Sequence, residues 1–406
     1  MKNILDGLRV AEISTYIAAP LCGMTLGQMG ADIVQINPIT GRMDENRLPH
    51  TKDGNSLYYP ALNKAKRSIR IDLKRPEGRE LAAQLMAGNP GDGGGIVLSN
   101  LPLREEMAPE SLKKLRPDLI SLQVFGNPDG STALDFTVNC ASGFPHITGN
   151  DSGPTNHVAP VWDISTALYL ATGLLAAERH RRLSGEGQTI TLTLADVMLA
   201  TVGNLSYLNE AQINEEPRPI LGNQVYGAFG KDFATADGRR VMVTGISNKQ
   251  WQALCDATET NEQMQALQDN TGVDLETEYG RYAAADEIST VFDPWFAART
   301  LDEIRKTFTG TRVLWGPFQT FKQLVNEDPR CSLDNPLFRK LDQPGLGPHL
   351  APHVPLDFSG FPRGDVAAAP QHGEHSEAVL SDVLGLSSQN IGKLFDTGIV
   401  AGLAAD

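Results

Sequence analysis

A chain of 406 residues is too long for one simple core, so two domains are expected. Its composition, 41% hydrophobic and 21% charged with 39 glycines and 25 prolines, favours a mixed α/β globular class over a helical bundle. The net charge of -14 disfavours nucleic acid and anionic membranes as partners, because like charges repel at long range, although a local basic pocket can still hold a small anion.

The N-terminal part of the chain alternates short apolar strands with helices. Pro20 suits the first turn of a helix and Gly30 suits its end, and a second helix, "KRPEGRELAAQLMAG", ends at Gly88. Such an alternation is typical of a parallel, Rossmann-like sheet. Five strands are predicted, with the sequences "LRVAEI", "ADIVQI", "RSIRIDL", "GGIVLSN" and "DLISLQVFG".

The middle of the chain begins with a long helix and continues into a smaller region. From Ile164 to Leu183 apolar residues recur on all sides, which predicts a helix buried on most faces. "GEGQTITLTLADVMLATVG" indicates a strand and a helix, and "NEEPRPILGN" indicates a linker. "YGAFGKDFATADGRRVMVTG" predicts a β-hairpin with its turn at "DGRR", followed by short helices around Trp251, Leu267 and Trp295.

The C-terminal part changes in composition. "DNPLFRKLDQPGLGPHLAPHVPLDF" is rich in proline, glycine and histidine and predicts an extended crossing segment, and the tail predicts two short helices that return to the first domain. The predicted organisation therefore has four parts. Residues 1–200 are the N-terminal part of a large Rossmann-like domain, 201–222 a linker, 223–325 a small α+β domain, and 326–406 the crossing segment and the C-terminal return to the large domain.

Cysteine use and the N-terminus give further expectations. The four cysteines, Cys22, Cys140, Cys255 and Cys331, are far apart and indicate neither a zinc site nor a disulfide framework. "MKNILDGLRV" lacks the apolar core of a signal peptide, and no uncharged apolar run reaches the roughly 18 residues of a membrane span. We therefore expect a cytoplasmic protein without a membrane partner.

Most general catalytic motifs are absent from the sequence. It has no H-E-x-x-H, no G-x-S-x-G and no Walker loop, and no metal site is predicted. Gly23, Gly27 and Gly30 are spaced wrongly for the dinucleotide fingerprint, which disfavours a dehydrogenase. "GDGGG" at 91–95 is interpreted as a flexible loop.

One acidic residue stands out at the start of the long helix. Asp163 precedes about fourteen uncharged residues in "PVWDISTALYLATGLLAAERHRR". An aspartate directly before a helix is a favoured N-cap, typically worth ~1 kcal/mol. The same carboxylate could instead act as a nucleophile, and a helix N-terminus would favour its ionised form. The two roles can coexist, and the residues alone leave both open.

Four blocks in chain order resemble the class III CoA-transferase family, which includes carnitine CoA-transferases, formyl-CoA transferase and α-methylacyl-CoA racemase. They are "LDGLRVAEIS…AAPLCGMTLGQMGADIVQINP", "NKAKRSIRIDLKRPEGRE", "WDISTALYLATGLLAAERHRRLSGEGQTITLTLADV" and "GEHSEAVLSDVLGLS". The resemblance covers nearly the whole chain. It implies a Rossmann-like large domain formed by both chain ends, a smaller α+β domain and an interlocked homodimer.

The resemblance also implies a reaction. Asp163 matches the family's catalytic aspartate, which attacks an acyl-CoA thioester to give a mixed anhydride and then an aspartyl-CoA thioester. Coenzyme A is part of the substrate, and no prosthetic group is expected. "NHVAPVWDI", "GNQVYGAFGKDF" and "PLDF" resemble members that act on mesaconyl-CoA, which implies CoA transfer between the C1 and C4 carboxyls of mesaconate.

Other functions remain open at this stage. An intermolecular CoA-transferase acting on another dicarboxylate is the first alternative, and a noncatalytic CoA-binding Rossmann protein is the second. Racemases of the family place a histidine before the aspartate of a "GHD" block. Here Leu134 precedes Asp135, which argues against α-proton exchange because that reaction needs two bases.

Substrate-binding residues are carried over from the family's CoA-binding segments. Lys74 and Arg104 could meet the CoA phosphates or could be solvated surface charges. His157 could line the pocket or be structural, and Asn139 is included without an assigned role. The full expected set is Thr15, Tyr16, Ile17, Ala18, Lys74, Asn100, Leu101, Arg104, Asn139 and His157.

Overall fold

The structure is a computed structural model that describes residues 3–403, and the chain divides into two compact units. The first unit takes in the described residues of Met1–Ser142, Val158–Asn209 and Pro329–Asp406, and the second takes in Gly143–His157 and Glu210–Asp328.

Twelve strands lie within residues 3–403, and seven of them form one sheet in the first unit. The sheet order is β12-β3-β2-β1-β4-β5-β6, and every neighbouring pair is parallel except β12 with β3. The large parallel sheet predicted from the sequence is therefore confirmed. The strands are β1 (Arg9–Ile13), β2 (Asp32–Pro38), β3 (Lys66–Ile71), β4 (Ile96–Ser99), β5 (Ile120–Phe125), β6 (Thr189–Thr193), β7 (Phe229–Ala234), β8 (Arg240–Gly245), β9 (Leu314–Pro317), β10 (Phe338–Gln343), β11 (Gly347–Pro352) and β12 (Val400–Ala401).

Helices cover both faces of this sheet, as a parallel sheet requires. On one face α1 and α7 pack against strand residues such as Val10 and Leu98, and on the other face α3 and α16 pack against Ile69 and Ile71. The helices are α1 (Ala18–Gln28), α2 (Tyr58–Leu62), α3 (Pro76–Ala87), α4 (Pro109–Leu115), α5 (Asp135–Ala141), α6 (Phe144–Thr148), α7 (Val161–Ser184), α8 (Leu194–Asn204), α9 (Tyr207–Asn214), α10 (Asn248–Thr258), α11 (Asn261–Thr271), α12 (Glu278–Ala283), α13 (Ala285–Ala297), α14 (Leu301–Phe308), α15 (Phe321–Glu327), α16 (Ser376–Leu384) and α17 (Ser388–Asp396), with a 3₁₀ turn at Glu105–Met107.

The C-terminal segment completes the first unit. Val379 and Leu380 of α16 lie in the same buried cluster as Ile69 of β3, and β12 pairs antiparallel with β3 through Val400 and Ile71. The segment between residue 330 and α16 contains the antiparallel pair of β10 and β11. The last elements of the chain therefore pack on the sheet that the N-terminal half builds.

The second unit has its own core and a three-stranded antiparallel sheet. The predicted hairpin is confirmed as β7 and β8, with β9 added at its edge. Phe229, Phe292 and Trp251 lie at the centre of this core. The unit also contains Gly143–His157, which the sequence predicts in the large domain. This segment is held in the second unit by contacts such as the hydrogen bond from the Leu221 N–H to the Ile147 carbonyl at 2.8 Å. Helix α9 lies inside the predicted linker.

Helix α7 connects the parallel strands β5 and β6, so it begins at the edge of the sheet where strands end and finishes where they begin. The prediction that this helix is buried on most faces is wrong for the described chain. One stripe is buried, but Leu168 and Tyr169 on the opposite side are 53% and 51% exposed. No helix in residues 3–403 is both long enough and apolar enough to cross a membrane.

Candidate active site

The order of the sheet reverses between β1 and β4, and their carboxyl ends form the crevice where open α/β sheets bind ligands. Two predicted binding residues meet there. The Thr15 N–H donates to Asn100 Oδ1 at 3.0 Å, and Asn100 Nδ2 donates to the Thr15 carbonyl at 2.7 Å. Leu101 is fixed next to them because its N–H donates to Ser99 Oγ at 3.0 Å.

The loop from β1 into α1 has an unusual conformation at its centre. Tyr16 has a φ of 62°, in the left-handed region, which costs energy for a residue other than glycine. Its N–H donates to Asp44 Oδ2 at 2.8 Å, which holds the loop in place. Ile17 is the N-cap of α1, where no side chain accepts a hydrogen bond, and Ala18 begins the helix as a buried residue.

Asp44 is itself held by a buried ion pair. Arg42 Nε lies 2.9 Å from Asp44 Oδ1, and the two side chains are almost completely buried. Burial alone would raise the pKa of Asp44, but the hydrogen bonds and charge of Arg42 and the Tyr16 N–H lower it. Arg42 also donates to Asn37 Oδ1 at 2.9 Å, so the strained Tyr16 backbone is tied to a side chain of β2.

Asp163 is not the cap of α7. The N-cap is Pro160, and Asp163 is the third residue of the helix. The cap is provided by Asp135 of α5, whose Oδ2 accepts the N–H groups of Trp162 at 2.6 Å and of Asp163 at 2.9 Å. Capping by Asp163 is therefore excluded by the structure, which leaves its carboxyl group available for chemistry.

The charge state of Asp163 differs from the expectation. Burial of the carboxyl group, together with the negative charge of Asp135, raises the pKa of Asp163 to about 7. Within residues 3–403 no donor bonds to this carboxyl group. A carboxylate with such a pKa is more basic than an ordinary aspartate, and a substantial fraction is still ionised at neutral pH.

Several buried polar atoms at this edge have no partner in the described part of the chain. They are Thr15 Oγ1, Asp135 Oδ1 and Thr166 Oγ1. Asn139 is fully buried and accepts from the Trp162 indole at 3.1 Å, so it helps to place the first turn of α7. Buried polar atoms are normally satisfied, so a polar ligand or a water is expected to bond to these three atoms, as to unpartnered atoms elsewhere such as Ser121 Oγ.

Lys74 and Arg104 follow β3 and β4, at the same edge of the sheet. Both are exposed, and neither forms an ion pair with any residue from 3 to 403. Arg79 joins their segments, because it donates to the Lys74 carbonyl at 3.0 Å and to Glu106 Oε2 at 2.6 Å and pairs with Glu105 at 2.6 Å. The two free cations are thus carried by two segments that one arginine links.

His157 lies in the second unit, and the chain passes to the first unit directly after it. Its Nδ1 is buried and has no partner in the described residues. Its role stays a prediction. In residues 3–403, no group of three or more histidine, cysteine, aspartate or glutamate side chains is arranged to hold a metal ion.

Comparisons with known proteins identify the family of this chain. The sequence profile of CoA-transferase family III matches residues 5–376. This chain belongs to CoA-transferase family III. It is 48% identical over 405 residues to the 2-methylfumaryl-CoA isomerase of Chloroflexus aurantiacus, with 99% of each chain covered.

More distant relatives also match nearly the whole chain. The chain is 28% identical to the succinyl-CoA:mesaconate CoA-transferase of Haloarcula marismortui, over 93% of this chain and 96% of that protein. A solved CAIB/BAIF family protein from Brucella suis has the same fold, with a TM-score of 0.76 and 23% identity over 94% of this chain and 100% of that one.

Sequence reasoning missed several residues at the carboxyl edge of the sheet, where the parallel strands end. In the sequence Asp135 is distinguished only by the leucine before it, and no motif marks Arg79 or Asp44. A cap that comes from a residue 28 positions earlier has no local sequence signal. The pairing of Arg79 with Glu106 likewise joins two segments that only the fold brings together.

Proposed function

We propose that this protein moves coenzyme A between the C1 and C4 carboxyls of mesaconate, converting 2-methylfumaryl-CoA into 3-methylfumaryl-CoA. The observation that carries the proposal is Asp163, a half-buried carboxyl group with a raised pKa at the carboxyl edge of the sheet, in a chain with 48% identity to an isomerase of that name.

The proposed reaction begins when the Asp163 carboxylate attacks the thioester carbonyl of the substrate. The carbon–sulfur bond breaks, which leaves a mixed anhydride and the CoA thiolate. The thiolate attacks the aspartyl carbonyl of the anhydride, so that an aspartyl-CoA thioester forms and mesaconate is released as a carboxylate.

The second half reverses these steps through the other end of mesaconate. Its C4 carboxylate attacks the aspartyl thioester and expels the thiolate, and the thiolate then attacks the C4 carbonyl of the new anhydride. The product thioester forms and Asp163 returns to its carboxylate. One thioester is consumed and one is formed, with no net transfer of protons or electrons.

The carboxyl edge of the sheet offers groups for binding the substrate. In this proposal the loop from Thr15 to Ala18, with Asn100 and Leu101, lies along the pantetheine and the adenine of CoA. Lys74 and Arg104 bind the anionic phosphates of CoA, since both are exposed cations without a carboxylate partner among residues 3–403. Asn139 supports the Asp163 turn through Trp162.

A homodimer is part of the proposal, following the family resemblance. Apolar side chains of α7 and α8 support it, because Leu168, Tyr169 and Leu199 are each about half exposed. Exposed apolar side chains grouped on one surface are typical of an interface between proteins. Light scattering of the purified protein should give the mass of two chains.

The decisive experiment gives the purified protein mesaconyl-C1-CoA alone and follows the C4 isomer by chromatography. Mesaconate held in the site has a large effective concentration as acceptor, so labelled free mesaconate added in excess should enter little of the product. No C4 isomer would overturn the proposed function.

Extensive entry of label during one turnover would instead favour an intermolecular transferase. The similarity to a succinyl-CoA:mesaconate CoA-transferase makes this the second candidate. CoA binding without any transfer, unchanged in Asp163→Ala, would indicate a noncatalytic CoA-binding protein.

A further inference from the structure

An exposed arginine in the loop after β2 has no place in the reaction described so far. The Arg47 guanidinium lies 5.2 Å from the ring centre of Tyr16 and 5.3 Å from that of Tyr58. Within the described residues, no aspartate or glutamate lies within ion-pair distance of Arg47. Two aromatic rings therefore orient a cation whose hydrogen-bond donors remain available to a ligand.

The loop that carries Arg47 is anchored at several points. Ser56 Oγ donates to the Arg47 carbonyl at 2.7 Å, and His50 forms an isolated β-bridge with Ser56. On the other side of Arg47, Asp44 accepts the Tyr16 N–H. Both the backbone of Arg47 and one of its two aromatic neighbours are thus fixed by hydrogen bonds.

Arg47 and Asp163 lie at the same edge of the sheet. Tyr16 leads into α1, and α1 and α7 both begin at this edge and share one buried cluster through residues such as Ala19 and Ala167. Burial raises the pKa of Tyr58 to about 12. Two nearby charges have smaller, opposite effects on this pKa: the positive charge of Arg47 lowers it, and the negative charge of Asp163 raises it. Tyr58 therefore lies within electrostatic range of both groups.

The proposed substrate needs a cation at this place. Mesaconyl-CoA carries a free carboxylate at the end opposite its thioester, and Asp163 and Asp135 already give the site two acidic groups. A further carboxylate would be repelled without a neighbouring positive charge. Arginine fits this requirement, because its planar guanidinium can donate two parallel hydrogen bonds to one carboxylate.

We propose that Arg47 is a specificity-determining residue that binds the free carboxylate of a dicarboxylyl-CoA substrate while the thioester lies at Asp163. The proposal rests on the proposed function for the choice of substrate class. It explains how a site that has an acidic nucleophile can prefer an acidic substrate.

The test compares two donors that differ only at the far end of the acyl chain, succinyl-CoA with a carboxylate and butyryl-CoA with a methyl group. The rate at which each donor loads CoA onto the protein is measured by intact-protein mass spectrometry after rapid quenching. Arg47→Gln should lower the rate with succinyl-CoA by roughly 10- to 100-fold and leave the rate with butyryl-CoA nearly unchanged.

Two further variants sharpen the result. Arg47→Lys keeps the charge but loses the paired donors, so it should give an intermediate rate with succinyl-CoA. Lys52→Gln removes an exposed cation of the same loop that no tyrosine ring among residues 3–403 orients, and it should behave as the wild type with both donors. Melting temperatures of all variants should stay close to the wild-type value.

An equal loss of rate with both donors would overturn the proposal, because Arg47 would then act on the part of the substrate that the donors share. A wild-type protein that does not prefer succinyl-CoA would overturn it as well. A protein that prefers succinyl-CoA through Arg47 but does not isomerise mesaconyl-CoA would overturn the proposed function and support the role of Arg47.

Discussion

The two edges of the parallel sheet differ in the charged side chains that they leave unpaired, although both edges contain ion pairs. At the edge where the strands begin, arginines and aspartates pair in a row. Arg9 lies 3.0 Å from Asp32 and 3.1 Å from Asp92, and Arg116 lies 3.2 Å from Asp92. At the edge where they end, Arg47, Lys74 and Arg104 have no carboxylate partner among residues 3–403.

Helix α7 joins these edges and shows the difference within one element. Near its C-terminal end, Arg181 donates to the carbonyls of Gly94 at 3.0 Å and Gly95 at 3.2 Å, so its charge stabilises a loop. Near its start, the Asp163 carboxyl group has a raised pKa and no donor within the described chain. Paired charges serve the fold, whereas unpaired charges are available to a substrate.

Removing the carboxyl group of Asp163 should have the largest effect. Asp163→Ala should lower kcat for mesaconyl-CoA by roughly 10³-fold or more, because no covalent intermediate can form. Since Asp135 caps α7, the variant should keep its helix and should melt at no lower temperature than the wild type, which circular dichroism can check. A variant with near-normal turnover would show that Asp163 is not the nucleophile.

The pH dependence should report the raised pKa of Asp163. The reactive form is the carboxylate, so the rate of CoA loading should rise with pH through about 7 and then level off. Asp135→Asn keeps an acceptor for the N–H groups of Trp162 and Asp163 but removes the like charge, and it should move the inflection to lower pH. An unchanged inflection in this variant would contradict the role given to Asp135.

The contribution of Asp163 to the stability of the fold should decrease as the pH rises. A carboxyl group whose pKa is raised by folding contributes stability that is complete below its unfolded pKa and is lost as the pH rises through its folded pKa. Asp163→Asn should therefore melt at a higher temperature than the wild type at pH 8, with a smaller difference at pH 5. Thermal melts at the two pH values test this, and a larger gain at pH 5 would contradict it.

Lys74 and Arg104, at the carboxyl edge of the sheet, should affect substrate binding more than the chemical step. Lys74→Glu and Arg104→Glu should each raise KM for mesaconyl-CoA by roughly 10-fold, equivalent to about 1.4 kcal/mol, with a smaller change in kcat. The CoA phosphates are distant from the reacting carbonyl, so the proposed contacts would be the same in the ground state and in the transition state. Lys113→Glu, at the exposed end of α4, is the matched control. Unchanged affinity in both variants would remove this phosphate site.

The sequence predicts the strands and helices better than it predicts the contacts at the carboxyl edge of the sheet, and the reason is physical. Strands such as "RSIRIDL" and the helix that ends at Gly88 have local periodicity and end signals, so they could be placed without tertiary information. Asp163 could be singled out as an acid before an apolar run. That Asp135 is its cap, that Asp44 holds Tyr16 and that Arg79 joins two loops depend on contacts between distant segments, which no local pattern encodes.

Asp92, at the edge where the strands begin, has a pKa shift opposite in direction to that of Asp163. Burial alone would raise the pKa of Asp92, but the N–H groups of Asn89 and Gly94, each at 2.8 Å, and the charges of Arg116 and Arg9 lower it. Asp92→Asn should lower the free energy of unfolding at pH 7 by about 1–3 kcal/mol.

The loss of stability in Asp92→Asn should leave kcat unchanged, because Asp92 lies where strands begin and the proposed reaction takes place where they end. Its pH dependence should also have the opposite sign. A lowered pKa contributes stability that is present above the unfolded pKa and is lost as the pH falls through the folded pKa, so Asp92→Asn and the wild type should converge in acid. Calorimetry at pH 7 and pH 3.5, with kcat measured at pH 7, tests both parts. A large fall in kcat without a loss of stability would show that Asp92 acts in the reaction rather than in stabilising the fold.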